Sequence, residues 1–234
     1  MSTADITVCA FSLGSGPPDP FARFVPRFYD AIARCDPMPA EVLVSRPAGN
    51  ASGIDAPPAG MTVRVIETNS GNATDHIVNL LEHVRTRWVT VPGLDDLVMP
   101  SAFADIDAAT AAGAGWIIGK CYEGHVGGPV RGRLDPVRLT SGGVNDIAPN
   151  SPFTVDAWRS VGGWDDVWWH DWVLWLRFLK AGVKTFETQH VGLMLDLGHD
   201  HVTRSGVQMP GDQRQMAMAE VAAVIRELWP EGYQ

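Results

Sequence analysis

Short apolar runs of strand length alternate with amphipathic helical stretches through the first 120 residues, and this alternation narrows the fold more than any other feature. The run DITVCAFSL reads as a buried strand closed by the turn-rich GSGPPDP. In FARFVPRFYDAIARC, Phe21, Phe24, Val25, Phe28 and Ile32 fall at helical spacing, and Pro26 predicts a late start or a kink. AEVLVSR reads as a second buried strand and MTVRVIET as a third strand, separated by the loop RPAGNASGIDAPPAG. DHIVNLLEHVRTR gathers Ile77, Leu80, Leu81 and Val84 on one helical face. WVTVPG is a fourth strand, PSAFADIDAATAAG a helix with Pro100 near its start and Gly113 near its end, and AGWIIGKC a fifth strand. The rhythm predicts an α/β fold, a doubly wound and mostly parallel sheet flanked by helices. Ligands of such sheets sit beyond the carboxyl ends of the strands.

The second half reads differently, and no internal repeat is present. YEGHVGGPVRGRLDPVRLTSGGVNDIAPNS is rich in Gly and Pro and weakly periodic, so it predicts a long excursion with a hairpin. Six of the nine tryptophans then fall between Trp158 and Trp175. Trp168, Trp172, Leu176 and Leu179 form a helical stripe, and Gly182 suits a C-cap. QRQMAMAEVAAVIRELW reads as a terminal amphipathic helix.

A formal net charge of -9 with 18 Lys and Arg argues against nucleic acid as a main partner. Cys9, Cys35 and Cys121 are far apart and form no CxxC, so neither a disulfide framework nor a thiolate zinc site is expected, and a reducing, cytoplasmic setting fits. No signal peptide is read at the N-terminus, and no apolar run reaches the roughly 20 residues of a membrane span.

Four features could carry chemistry. Asp95 and Asp96, at the carboxyl end of the fourth strand, read either as an acidic turn capping the next helix or as a site for a hard cation such as Mg2+ or Mn2+. Asp171, near the start of the Trp-rich helix, reads either as a cap favoured by the helix dipole or as a general base in a low-dielectric wall. His199 and His201, in LGHDHVTRSG, are polar loop residues or late metal ligands; without HExxH a hydrolytic zinc site is not expected. Trp168, Trp172 and Trp175 suit a core, whereas Trp164, beside a Gly-Gly turn, suits a sugar platform.

Together these residues resemble the family 2 glycosyltransferases and their GT-A nucleotide-sugar fold. NLLEHVRTRWVTVPGLDDLVMP is similar to the family's Asn-containing helix, strand, DxD-type motif and downstream proline. VGGWDDVWWHDWVLWLRFLKAG resembles its Gly-Gly-aromatic-Asp turn, its Glu-Asp pair and a helix ending in Ala-Gly, and ITVCAFSLGSG sits where its first nucleotide-contacting strand would be. The likeness spans roughly residues 5–200. Aligned on Pro100, the first DxD acid falls on Gly93, Leu94 follows, Asp95 matches the metal-binding acid and Asp96 the acid often next to it. His170-Asp171 stands where the family has Glu-Asp, and the second strand lacks the acidic residue usual at its end.

The resemblance implies one GT-A-like domain over 1–234. Residues 1–120 would form the nucleotide-sugar half, 121–205 the acceptor and catalytic half, and 206–234 a C-terminal helix. It implies an inverting, metal-dependent transferase moving a sugar from a nucleotide-diphosphate donor to a hydroxyl of a glycan, lipid-linked glycan or protein. Asp171 would be the base. Phe11, Ser12, Asn79, Gly93, Leu94, Asp95 and Lys120 would contact donor, Trp164 and Asp165 acceptor, and Asp95, Asp96, His199 and His201 the cation. Lys120, Arg131 or Arg133 would clamp the diphosphate. Two other classes remain open at this point: a non-catalytic glycan or nucleotide-sugar binder on the same fold, and a sugar-phosphate nucleotidyltransferase. The second lacks support in SLGSGPPDP, which holds no basic residue for an NTP.

Overall fold

The computed structural model describes residues 2–12, 22–49, 57–142, 144–167, 169–195 and 211–233. In chain order the strands are β1 (Thr3–Phe11), β2 (Met38–Arg46), β3 (Val63–Glu67), β4 (Trp88–Thr90), β5 (Leu97–Val98), β6 (Trp116–Glu123), β7 (Val130–Arg131), β8 (Phe153–Thr154) and β9 (Thr185–Leu195). The helices are α1 (Val25–Ala33), α2 (Ala73–His83), α3 (Ile106–Ala111), α4 (Pro136–Thr140), α5 (Val155–Ser160), α6 (His170–Lys180) and α7 (Gly211–Leu228). A 3₁₀ turn over Ala22–Phe24 leads into α1, so Pro26 lies in the first helical turn, where its missing N–H costs nothing.

The strands form one sheet in the order β3-β2-β1-β4-β8-β6-β9-β5, with β7 added alongside β6. β1, β2, β3 and β4 run parallel; β8 is antiparallel to both β4 and β6, so β6 again runs with β4, and β9 runs parallel to β6. The carboxyl ends of β1, β4, β6 and β9 therefore share one edge of the sheet. Chain order reverses on either side of β1, which places the crevice expected of a doubly wound sheet beside β1 and β4.

Alternate side chains of the strands feed two cores, one on each face. Ile6, Val8, Ala10 and Ile117 pack with α1, with α3 and with the turns before α3, through residues such as Phe28, Ile32, Phe103 and Ile106. Cys9, Leu43, Trp116 and Ile118 pack with α2, α5 and α6, through Ile77, Leu80, Trp158 and Trp175. The indoles of Trp116 and Trp175 stack at 5.1 Å with planes 11° apart, and Phe153 and Phe178 close around them. The density of tryptophan is thus largely explained by packing.

The structure refines the sequence expectation in several places. The helix expected over 100–113 is helical only at Ile106–Ala111, because residues 99–106 wind in successive i→i+3 turns. The excursion after β6 does contain a hairpin, Cys121 and Tyr122 pairing with Arg131 and Val130, and also the short helix α4. β9 was not anticipated; its register against β6 slips twice, between Ile118 and Lys120 and again before Cys121.

Candidate active site

Past Thr90 the chain turns through residues 91–96 before β5. The backbone N–H of Asp96 donates to the Gly93 carbonyl at 3.2 Å, and the Gly93 N–H donates to the Asp96 carboxylate at 3.2 Å. Leu94 anchors the turn in the α1-side core. Arg27, from α1, donates to the Asp95 carbonyl. Asp95 is only 8% exposed. A Cβ on Gly93 would stand 2.4 Å from Asp95 Oδ1 and 3.1 Å from Asp96 Oδ2. Both carboxylates therefore pack against the Gly93 backbone, an approach that only a residue without a side chain allows. Two neighbouring carboxylates, one buried and one half-buried, are oxygen donors of the kind that a hard divalent cation prefers. Among the described residues no third His, Cys, Asp or Glu joins them in a metal-sized cluster. His199 and His201 lie outside the described residues.

At the ends of β1, β2 and β3 a buried polar relay runs into α2. Asn79 Nδ2 donates to Thr68 Oγ1 at 2.9 Å, Thr68 and Ser45 hydroxyls meet at 2.6 Å, and Ser45 Oγ meets His76 Nδ1 at 2.8 Å. His76 Nε2 lies 2.9 Å from the Ser70 carbonyl, which can only accept. That fixes the Nε2–H tautomer, and Nδ1 then accepts from Ser45. Phe11 stacks on the His76 ring at 6.1 Å, and the Ser12 N–H donates to the Ser45 carbonyl at 2.9 Å. Phe11, Ser12 and Asn79 are thus gathered at one end of the sheet.

Burial pushes the His76 imidazole below its ordinary value, against the opposing effects of Ser70 and Asp75. His170 is lowered too, first by burial, with Asp171 and Asp166 opposing. Both rings stay neutral in the fold but take up protons in the unfolded chain. Stability is therefore present above the ordinary imidazole value and is lost as pH falls through and below it. We expect the urea midpoint to drop between about pH 7.5 and about pH 5.5, and His76→Gln to flatten that slope. A midpoint that rises on acidification would contradict the neutral relay.

A second group of candidate residues comes from α6 and the excursion. Asp171 sits in the first turn of α6, which has no side-chain N-cap. Its Oδ2 accepts from Asn145 Nδ2 at 3.2 Å. Arg131 of β7 donates to the Asn145 carbonyl. Trp164 is 9% exposed, its ring against His170 at 5.2 Å and Phe153 at 5.9 Å. Asp165 is gripped through both oxygens by Arg177, at 3.0 and 2.8 Å, and so closes the Gly-Gly turn onto α6. Lys120, on β6, lines a small cavity with Thr90, Asp105, Asn150, Thr188 and His190. Gly132, at φ +134°, lies so close to β6 that a Cβ would meet the Gly119 carbonyl at 2.2 Å, which fixes the path of the excursion over Lys120.

Strand pairing runs from β5, just after the acidic turn, across to β7. Val98, Leu193, Cys121 and Arg131 pair side by side across β5, β9, β6 and β7. Burial pushes the Cys121 thiol up to about 12, Arg131 opposes, and Glu123 and Asp96 reinforce it. Arg131 in turn donates to the Asn145 carbonyl, and Asn145 donates to Asp171. Sequence reading missed Arg27, the Ser45–Thr68–His76 relay and Asn145. Their chemistry arises from long-range contacts, and only Asn145, in a Val-Asn-Asp turn, carried a local signal.

No protein-family model and no curated protein sequence matches the chain. Solved structures do resemble it. S. aureus TarS in complex with UDP-GlcNAc aligns over 100% of this chain and 68% of that one, with a TM-score of 0.67 and 12% identity. S. aureus TarS in complex with UDP aligns over 100% and 67%, with a TM-score of 0.63 and 11% identity. The mannosyltransferase PcManGT from Pyrobaculum calidifontis, in complex with GDP-Man and Mn2+, aligns over 99% and 75%, with a TM-score of 0.59 and 12% identity. At such identities the likeness is one of fold, and the chain has a GT-A-like α/β architecture.

Proposed function

We propose that the protein is an inverting glycosyltransferase of the family 2 type that takes its sugar from a nucleotide-diphosphate donor. The observation that carries this reading is the pair of carboxylates converging at Gly93, beyond β4, together with an Asp171 carboxylate tied to the same end of β6. The fold neighbours with UDP-GlcNAc and with GDP-Man and Mn2+ support the donor class and the choice of cation.

Asp95 and Asp96 would hold Mn2+ or Mg2+, which would supply positive charge to offset that of the departing diphosphate. The remaining work falls to the chain's own side chains. The crevice beside β1 would take the nucleoside, with Phe11, Ser12 and the Asn79 relay lining it and the backbone of Gly93 and Leu94 close to the phosphates. Lys120 would meet the diphosphate where the excursion crosses β6. Asp171 accepts the proton of the acceptor hydroxyl as its oxygen bonds to C1 and the C1–O bond to the diphosphate breaks. Attack from the side opposite the leaving group inverts the anomeric carbon. Trp164 and Asp165 would shape the acceptor side, Asp165 through the turn that it closes with Arg177.

Release of nucleotide from a panel of UDP- and GDP-sugars with Mn2+, with and without chelator, tests this reading. Chelator-sensitive turnover is expected. Gly93 in place of an acid favours one other reading, a binder that retains nucleotide sugar without transferring it; Mn2+-dependent binding with no turnover across the panel would select that reading. Gly93→Ala is a further test. Its methyl group would stand 2.4 Å from Asp95 Oδ1 and so displace that carboxylate. Weaker Mn2+ binding by calorimetry is expected, by about tenfold or more. Unchanged affinity would remove the carboxylates from the cation site.

A further inference from the structure

We propose that Asn145 is a positioning residue for Asp171, an inference that rests on the base assignment above. Asn145 lies in the excursion, 26 residues before Asp171 in sequence. Its amide has two distinct jobs. Oδ1 accepts the Ile147 N–H at 3.1 Å, and Nδ2 donates to Asp171 Oδ2 at 3.2 Å. The first contact fixes which way the amide faces, because a backbone N–H requires an acceptor. The amino group is then the end presented to the carboxylate, which only accepts.

Asp171 needs such a partner. The last torsion of an Asp side chain is broad and roughly two-fold, and among the described residues Asn145 is the side chain that hydrogen-bonds this carboxylate. Tying down Oδ2 leaves Oδ1 to face the acceptor hydroxyl. Asn145 is itself held. Arg131 donates to its carbonyl, and next to it Arg138 and Asp146 pair at 2.9 Å while the Arg133 N–H donates to the Asp146 carbonyl at 3.2 Å. Arg131 belongs to β7, which pairs with β6. The excursion thereby sets the base at the distance that the β6–β7 hairpin dictates.

Asn145→Asp separates the two jobs. It keeps an oxygen for the Ile147 N–H and so preserves the turn, but it can no longer donate and sets a carboxylate against Asp171. The variant is compared with wild type and Asp171→Asn in nucleotide release from the UDP- and GDP-sugar panel with Mn2+, with thermal melting alongside. We expect kcat to fall about tenfold or more, with donor KM within about twofold and the melting temperature little changed. Wild-type kcat in Asn145→Asp, with Asp171→Asn inactive, overturns the Asn145 proposal and leaves the base assignment standing. Parallel losses in kcat, KM and melting temperature reduce Asn145 to a turn residue and also overturn it. Full activity of Asp171→Asn overturns the base assignment and this inference together. A second readout needs no turnover: the Asn145 side-chain amide proton resonance should move upfield in Asp171→Ala, and an unmoved resonance contradicts the contact.

Discussion

Asp171→Asn should abolish sugar transfer while leaving donor binding intact. The substitution is isosteric and retains a carbonyl oxygen toward Asn145, so the start of α6 and its packing should survive. What it removes is the capacity to accept a proton. A positioned general base contributes roughly 10²–10⁴-fold to rate, or about 3–5 kcal/mol of barrier. A fall of that size in kcat is expected, with the Kd for donor and Mn2+ within about twofold of wild type. Equal losses in donor affinity and turnover would instead mark Asp171 as a binding or structural residue, as its place in the first turn of α6 would also permit.

The second large effect should come from Asp95→Ala. Asp95 is buried, its backbone carbonyl is held by Arg27, and its carboxylate is one of two that converge at Gly93. Removing one partner of a buried charged contact costs roughly 2–5 kcal/mol, so Mn2+-dependent donor binding should weaken by about 30-fold or more. Binding measured with chelator present should barely change, since the loss acts through the cation. Asp96→Ala should do less to metal affinity and more to the turn, because the Asp96 carboxylate also accepts the Gly93 N–H. Titration of Mn2+ against each variant at fixed UDP or GDP separates the two roles.

The first half of the fold was legible because β1, β2 and β4 are largely buried on both faces and read as nearly continuous apolar runs. β5 and β8, two residues each, carry too little pattern to register. β9 escaped for a different reason. Its TFETQHVGLML mixes exposed polar and buried apolar positions without strict alternation, and its slipped register against β6 breaks the period that a strand would show. At the site, Asp95, Asp96 and Asp171 stood out as carboxylates near element ends, and each lies where an element begins or ends. Arg27, His76 and Asn145 did not stand out. An arginine on an amphipathic helix, a histidine beside an apolar stripe and an asparagine in a turn are ordinary locally. Their partners lie 68, 31 and 26 residues away. Trp164, read as a platform, is instead a core residue, packed against Phe153 and His170.

A crystal structure with Mn2+ and UDP or GDP, phased so that the anomalous signal of manganese is visible, tests the central claim most directly. The ion should lie between the Asp95 and Asp96 carboxylates and the β-phosphate, with Asp171 Oδ1 facing the same cleft across the sugar site. Manganese bound elsewhere, or an Asp171 carboxylate turned to a surface that shares no cleft with residue 95, would contradict the account.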